Sequence, residues 1–129
     1  FTHQHDPNYV GPDQITIYDN GDLRCANTIE QECHSRGQVY TINEAEMMAT
    51  LELSMDLGNY SPALGSAQPL RNGSFHFESG LQGPPFFGTA DEVLPDGTKI
   101  YALGVGMPVY RSFRMSDLYT APHYLAHSQ

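Results

Sequence analysis

Short runs of alternating apolar and polar residues, separated by turn-forming residues, dominate this chain. Residues 14–18 and 37–42 alternate in this way, and the longest such run covers residues 49–57. A period of two is typical of β-strands that bury one face. Further strands are predicted at residues 66–70, 74–78, 91–94, 99–104 and 109–115. Residues 80–88 are rich in glycine and proline and are predicted to form a loop.

The strand predicted over residues 49–57 has a helical alternative. Residues 44–53 are good helix formers, and the spacing of Met47, Leu51 and Met55 would also suit one face of a helix. The regular alternation favours a strand, and we predict one here. No other segment shows a clear helical pattern.

Eight short strands without a helix predict an all-β protein. The strands fall into two groups of about four, divided near residues 58–65. A four-stranded antiparallel unit that repeats is a blade of a β-propeller, and a small β-sandwich is the alternative that the pattern also allows. We therefore predict two blades, at residues 1–58 and 59–117, and a tail at 118–129.

Two blades cannot close a ring, so their outer strands would expose unpaired backbone groups, which natural sheets avoid. The chain also begins with Phe1 rather than a methionine. We expect it to be a fragment that needs further propeller blades, either on the same chain or on a partner chain.

Composition excludes two classes of partner. The formal net charge is −9, with only six lysines and arginines, so binding to nucleic acid or to an anionic membrane surface is not expected. The sequence also lacks a run of about 18 apolar residues that could insert into a membrane.

Two cysteines and two sequons predict an extracytoplasmic location, periplasmic or secreted. Cys25 and Cys33 could be free buried thiols, but we predict a disulfide that closes the polar loop between them. A loop this short stabilises the fold by about 2.5 kcal/mol in the chain-entropy model, and the spacing matches no zinc motif. Asn59 and Asn72 each begin an Asn-x-Ser glycosylation tripeptide. Disulfides and glycans belong to oxidising compartments.

The residues with the most chemical potential lie near the start of the chain. His3, Gln4, His5 and Asp6 precede the strand at residues 14–18, which leads into Asp19-Asn20-Gly21. With these two blocks the chain resembles the C-terminal part of the arylsulfotransferase family, whose late sequence reads roughly Gln-His-Asp/Thr, then a strand, then Phe-Asp-Asn-Gly. Weaker similarities follow in the family's order at residues 35–42, 61–73 and 110–114.

The resemblance implies that residues 1–129 are the C-terminal part of one β-propeller domain. It also implies sulfuryl transfer from a small aromatic sulfate to a phenol through a sulfo-histidine on His5, with no cofactor. A neutral imidazole can attack an electrophilic sulfur and hold the group as an N–S adduct. For this, His5 must be unprotonated and its other ring nitrogen must be held by an acceptor.

Three further residues near His5 carry expectations. His3 would share a face with His5 in an extended segment and is a candidate substrate contact. Arg36 is a candidate anion contact at the mouth of the channel, or else a strand residue that binds a loop carbonyl. Asp19 is expected to cap an Asn20-Gly21 turn.

The residues also leave non-catalytic interpretations open. His5 could simply bond backbone at a strand end, and the chain could be an extracellular β-propeller or β-sheet module for assembly or binding. A metal site at His3, His5 and Asp6 is not predicted, because no convergent fourth ligand is evident.

We expect the 129-residue chain to be inactive on its own. The family's other motifs, a further histidine and a histidine–arginine pair from earlier blades, are missing from this sequence, and they would neutralise charge on the sulfuryl oxygens. An assay of aryl sulfate turnover with the purified chain tests this expectation, and robust turnover would refute it.

Overall fold

Two four-stranded sheets make up the computed structural model, which describes residues 2–26 and 33–117. The first sheet contains β1 (Gln4–Gly11), β2 (Gln14–Asp19), β3 (Arg36–Asn43) and β4 (Met48–Asp56). The second contains β5 (Ser66–Pro69), β6 (Phe75–Gln82), β7 (Phe87–Val93) and β8 (Lys99–Val105). A one-turn helix, α1 (Asp22–Cys25), lies between β2 and β3.

Each sheet is an antiparallel meander in chain order, an arrangement consistent with propeller blades and with a small β-sandwich. The prediction of an all-β protein with two four-stranded antiparallel units is therefore confirmed. The ambiguous segment before Gly58 is a strand, β4, and the predicted tail at 118–129 lies outside the described residues.

The core lies between the two sheets. The first sheet and the turn after it contribute Tyr18, Val39 and Leu57, and the second sheet contributes Ala67, Phe75, Phe77 and Val93. Two glycines permit this close packing. Gly37 lies against the ring of Phe77, and Gly65, at a φ of 137°, lies against the ring of Tyr18.

β1 is a strand that the pattern did not predict, because its residues do not alternate between apolar and polar. Its side chains instead bond the neighbouring sheet. Asp6 accepts a hydrogen bond from the Ala67 backbone N–H at 3.1 Å, and the Asn8 amide donates to the Ala67 carbonyl at 2.7 Å. Asp6 has a φ of 51° and lies where the β1–β2 register shifts. This bulge directs Asp6 at the free edge of β5.

Residues 109–115 are here named the closing segment. The prediction that they form a strand is wrong. The described residues show no β-ladder there. Side chains of β5 satisfy its backbone instead. The Ser66 hydroxyl bonds the N–H and the C=O of Ser112 at 3.3 and 3.0 Å, and the Gln68 amide bonds those of Arg114 at 2.8 and 3.0 Å.

One loop prediction also needs correction. The loop predicted at residues 80–88 shrinks to four turn residues, because β6 continues to Gln82 and β7 already begins at Phe87. After β2, Asn20 and Gly21 lead into α1, which separates β2 from β3. A disulfide joins Cys25 at the end of α1 to Cys33, as predicted.

Substituting Gly37 by alanine should destabilise the fold. The new Cβ would lie 2.4 Å from the Phe77 ring, so we expect the free energy of unfolding to fall by about 1–3 kcal/mol, as overpacked cores do. Gly104→Ala in β8 is the matched control, since no atom lies within 4 Å of its added Cβ. Urea denaturation of both variants makes the comparison, and equal stabilities would contradict the packing described here.

Candidate active site

His5 lies on β1, opposite Tyr18 of β2, at the end of the sheet where β2 leads into α1. Its Nδ1 is 2.6 Å from the Asn20 Oδ1 and 3.1 Å from the His3 carbonyl oxygen. Both partners are acceptors, so Nδ1 carries the proton of the neutral ring and donates to them. The lone pair of the neutral imidazole is then on Nε2, the nitrogen that a nucleophilic histidine would use.

Asn20 is the second member of the site, and it is fully buried. Its Nδ2 donates to the carbonyl oxygens of Ser61 and Leu64, at 2.7 and 2.9 Å. Both carbonyls belong to the chain between the two sheets. Asn20 therefore connects the imidazole of the first sheet to the segment that leads into the second.

His3 contributes its backbone rather than a ring on the same face as His5. It precedes β1, has a φ of 52° and is not extended, so the geometry assumed for a shared face is absent. Its exposed ring contacts the Asp22 carboxylate at the start of α1 through Nδ1. Its role as a substrate contact stays a prediction.

Arg36 lies at the same end of the first sheet as His5 but two strands away. In the strand register, its backbone lies opposite Asp19 of β2 on one side and opposite Asp56 of β4 on the other. Two strand spacings, roughly 10 Å of sheet, therefore separate it from β1. Burial acts to raise the pKa of the Asp56 carboxyl, but the Gly58 N–H, the His34 ring and the charge of Arg36 together lower it. The predicted contact of Arg36 with substrate stays a prediction.

Two buried carboxylates next to the site bind arginines that the sequence did not single out as partners. Asp19 accepts a hydrogen bond from Arg24 at 2.9 Å and another from the Thr2 N–H, also at 2.9 Å. The prediction that Asp19 caps a turn is therefore wrong, since a turn cap would bond its own backbone. Asp6 binds Arg111 of the closing segment at 2.9 Å. These ion pairs attach α1 and the closing segment to the strands that carry the site.

A family model described as Arylsulfotransferase (ASST) matches residues 1–95, well over half of the chain. The chain belongs to the arylsulfotransferase family. No curated protein and no solved structure matches it. The matched part of the chain contains His5, Asn20 and Arg36, whereas the closing segment lies beyond it.

Asn20 is the site residue that the sequence analysis missed, because it was assigned to a turn. The available signal was the pairing of two blocks. If the residues after Gln4 form a strand that pairs with residues 14–18, the Asn20-Gly21 block that follows residues 14–18 lies next to His5. The short antiparallel connection between β1 and β2 brings this about.

Within residues 2–26 and 33–117, no group of three or more His, Cys, Asp or Glu side chains is arranged so that it could hold a metal ion. Over the same described residues, no helix is long and apolar enough to cross a membrane.

The two sequons differ in their surroundings. Asn72 is exposed in the turn between β5 and β6, and its Oδ1 accepts hydrogen bonds from Ser74. Asn59 is half-buried, its amide bonds the Leu57 carbonyl and Thr89, and Ser61 of its tripeptide is fully buried. Glycosylation at both positions stays a prediction, and in the folded chain only Asn72 has an exposed side chain.

Glu78 and His76 of β6 are buried on the face of the second sheet that the closing segment covers. Glu78 is 1% exposed, and neither carboxyl oxygen has a hydrogen-bond partner among the described residues. Burial and the nearby charge of Asp6 raise the pKa of Glu78 to about 8. Burial and the charge of Arg114 lower the pKa of His76 to about 4, and its Nε2 lies 2.8 Å from the Ser112 hydroxyl. Both side chains are therefore neutral near pH 7.

The neutral Glu78 should make stability depend on pH. The folded chain keeps a proton that the unfolded chain releases above the ordinary pKa of 4.5. Stability from this proton is complete below pH 4.5 and is lost as the pH rises towards about 8. We expect the unfolding free energy of the wild type, relative to Glu78→Gln, to fall by up to about 1.4 kcal/mol per pH unit in this window.

Urea denaturation of both proteins at several pH values between 4 and 9 measures this difference. The opposing titration of His76 is common to both proteins, so it cancels in the comparison. Parallel pH curves for the wild type and Glu78→Gln would show that Glu78 is ionised in the folded state.

Proposed function

We propose that this chain takes part in sulfuryl transfer from an aryl sulfate to a phenol, with His5 as the residue that accepts the sulfuryl group. Membership of the arylsulfotransferase family supports the reaction class. The observation that carries the assignment is the hydrogen bonding of His5. Because Nδ1 donates to Asn20 and to the His3 carbonyl, Nε2 has the lone pair that an attack on sulfur requires.

The transfer proceeds in two displacements. In the first, the Nε2 lone pair forms a bond to sulfur, the bond between sulfur and the aryl oxygen breaks, and that oxygen leaves with the electron pair as a phenolate. In the second, the oxygen of the acceptor phenol bonds to sulfur while the N–S bond breaks. The acceptor's proton is lost, and the departed phenolate takes up a proton, so atoms and charge balance. Two easier steps replace one difficult transfer.

During the first step the imidazole gains positive charge while Nδ1 keeps its proton. A hydrogen bond from a charged donor is about twice as strong as a neutral one. The acceptors on Nδ1 therefore stabilise the sulfo-histidine more than they stabilise the free histidine. An interaction that strengthens as charge develops accelerates the step.

The proposal includes further propeller blades, on this chain or on a partner, that pack against the two sheets. The outer strands β4 and β8 support it, because apolar side chains on them are exposed: Leu51 by 47%, Ile100 by 49% and Leu103 by 47%. Exposed apolar strands at a sheet edge are suited to cover by a neighbouring sheet. The disulfide between Cys25 and Cys33 suits an extracytoplasmic location.

His5→Ala in the intact protein should abolish transfer. A nucleophile has no substitute in a covalent mechanism, so we expect the rate to fall by on the order of 10⁴-fold or more. The measurement is transfer from a chromogenic aryl sulfate to a phenol, with trapping of the sulfo-histidine by mass spectrometry under alkaline conditions.

His34→Ala is the matched control. His34 is also a half-exposed histidine hydrogen-bonded through Nδ1, here to Asp56 at 2.7 Å, but it lies outside the candidate site. We expect His34→Ala to retain activity, and circular dichroism should show both variants folded. Turnover retained by a folded His5→Ala protein would refute the assignment and leave a non-catalytic module as the better description.

A further inference from the structure

We propose that Asn20 is a positioning residue that selects the tautomer of His5 with the proton on Nδ1. The proposal rests on the function assigned to His5, because only then does the position of the lone pair matter for a reaction. Asn20 does not contact the reacting atoms and acts only through the imidazole.

The orientation of the Asn20 amide is set by its two donor bonds. Nδ2 points at the carbonyl oxygens of Ser61 and Leu64, at 2.7 and 2.9 Å. If the amide were flipped, its oxygen would face those two carbonyl oxygens in a buried place, where unpaired acceptors are costly. The Oδ1 therefore faces His5 and can only accept, which requires a proton on Nδ1. A flipped amide would instead donate to Nδ1 and place the proton on Nε2, which would remove the nucleophile.

The backbone around Asn20 is held as firmly as its side chain. The Ser35 hydroxyl donates to the Asn20 carbonyl at 3.1 Å and accepts from the Ser61 N–H at 3.0 Å. The Ser61 hydroxyl accepts from the Leu81 N–H at 2.9 Å, which attaches the same loop to β6. Asn20, Ser35 and Ser61 are all fully buried. A satisfied buried network of this kind has one low-energy arrangement.

The test uses two substitutions of Asn20 that both remove its donor bonds but differ in whether an acceptor oxygen remains for His5. Asn20→Ala and Asn20→Asp both remove the donor bonds to Ser61 and Leu64, but only aspartate keeps an oxygen that can accept from Nδ1. A structural role for Asn20 predicts similar effects for both variants. A positioning role predicts that aspartate preserves the His5 tautomer. Alanine would leave Nδ1 with only the longer, 3.1 Å bond to the His3 carbonyl, so the other tautomer should appear as well.

Asn8→Ala is the matched control. The Asn8 amide also donates to two backbone carbonyls, Asp6 at 3.0 Å and Ala67 at 2.7 Å, and the second of these is in the other sheet. It has no hydrogen bond to His5 among the described residues. We expect Asn8→Ala to leave the tautomer and the transfer rate unchanged.

The first readout is the long-range ¹H–¹⁵N correlation spectrum of the intact protein labelled at histidine nitrogen, with His5 assigned from the spectrum of His5→Gln. We expect wild type and Asn20→Asp to show the Nδ1-protonated tautomer and Asn20→Ala to show a mixture. The wild-type spectrum alone also decides, since protonation on Nε2 would overturn the proposal even if every variant failed to fold.

The second readout is the single-turnover rate of sulfuryl transfer to the enzyme. We expect Asn20→Ala to lower it by roughly ten- to a hundredfold, as loss of an orienting partner does for a ligating histidine, with partial recovery in Asn20→Asp. Equal rates and equal spectra for the two variants would overturn the proposal. The result for His5→Ala is separate. If transfer survives without His5, the proposed function fails, while the tautomer spectra still decide what Asn20 does to the ring.

Discussion

The packing of the two sheets depends on polar side chains of the first sheet that bond the backbone of the second sheet and of the loop before it. Asp6 and Asn8 bind the Ala67 backbone, and Asn20 binds the carbonyls of Ser61 and Leu64. Each buried hydrogen bond has a net value of only about 0.5–1.5 kcal/mol, but leaving one of its partners unsatisfied costs about 1–3 kcal/mol. The penalty for an alternative arrangement therefore fixes the geometry more than the bonds themselves do.

This constraint gives His5 its chemical character. An exposed histidine at a strand end would sample both tautomers and several ring orientations. Here the ring is placed against an amide whose own direction is determined by two carbonyls of the chain between the sheets. The conformation of the loop before β5 is thus coupled to the position of a lone pair on one nitrogen atom of His5.

The closing segment is also held by bonds between side chains and backbone, on the other face of the second sheet. Its backbone bonds the Ser66 and Gln68 side chains, and Arg111 returns to Asp6, the residue next to His5. A segment held by side chains and ion pairs, rather than by a ladder, can lie across a sheet face and cover Glu78 and His76 there. The apolar seam on the opposite face, between Tyr18 and Phe77, supplies the burial that holds the sheets together.

The sequence by itself determined the class of the fold, most of its strands, the disulfide and the family. Alternation in β2, β3 and β4 is local and survives folding, because each strand buries one face. The candidate nucleophile was also visible, since a short motif around His5 carries the family resemblance.

Only the tertiary structure decided what surrounds that histidine. β1 has no periodic pattern because its side chains bond another strand's backbone, and no local rule predicts this. The Asn20–His5 bond spans 15 residues and the Asp6–Arg111 pair spans 105. The closing segment has the composition of a strand, yet β5 satisfies its backbone with side chains. Contacts between residues so far apart leave no periodicity in the chain, because they follow from how the sheets stack and not from neighbours in sequence.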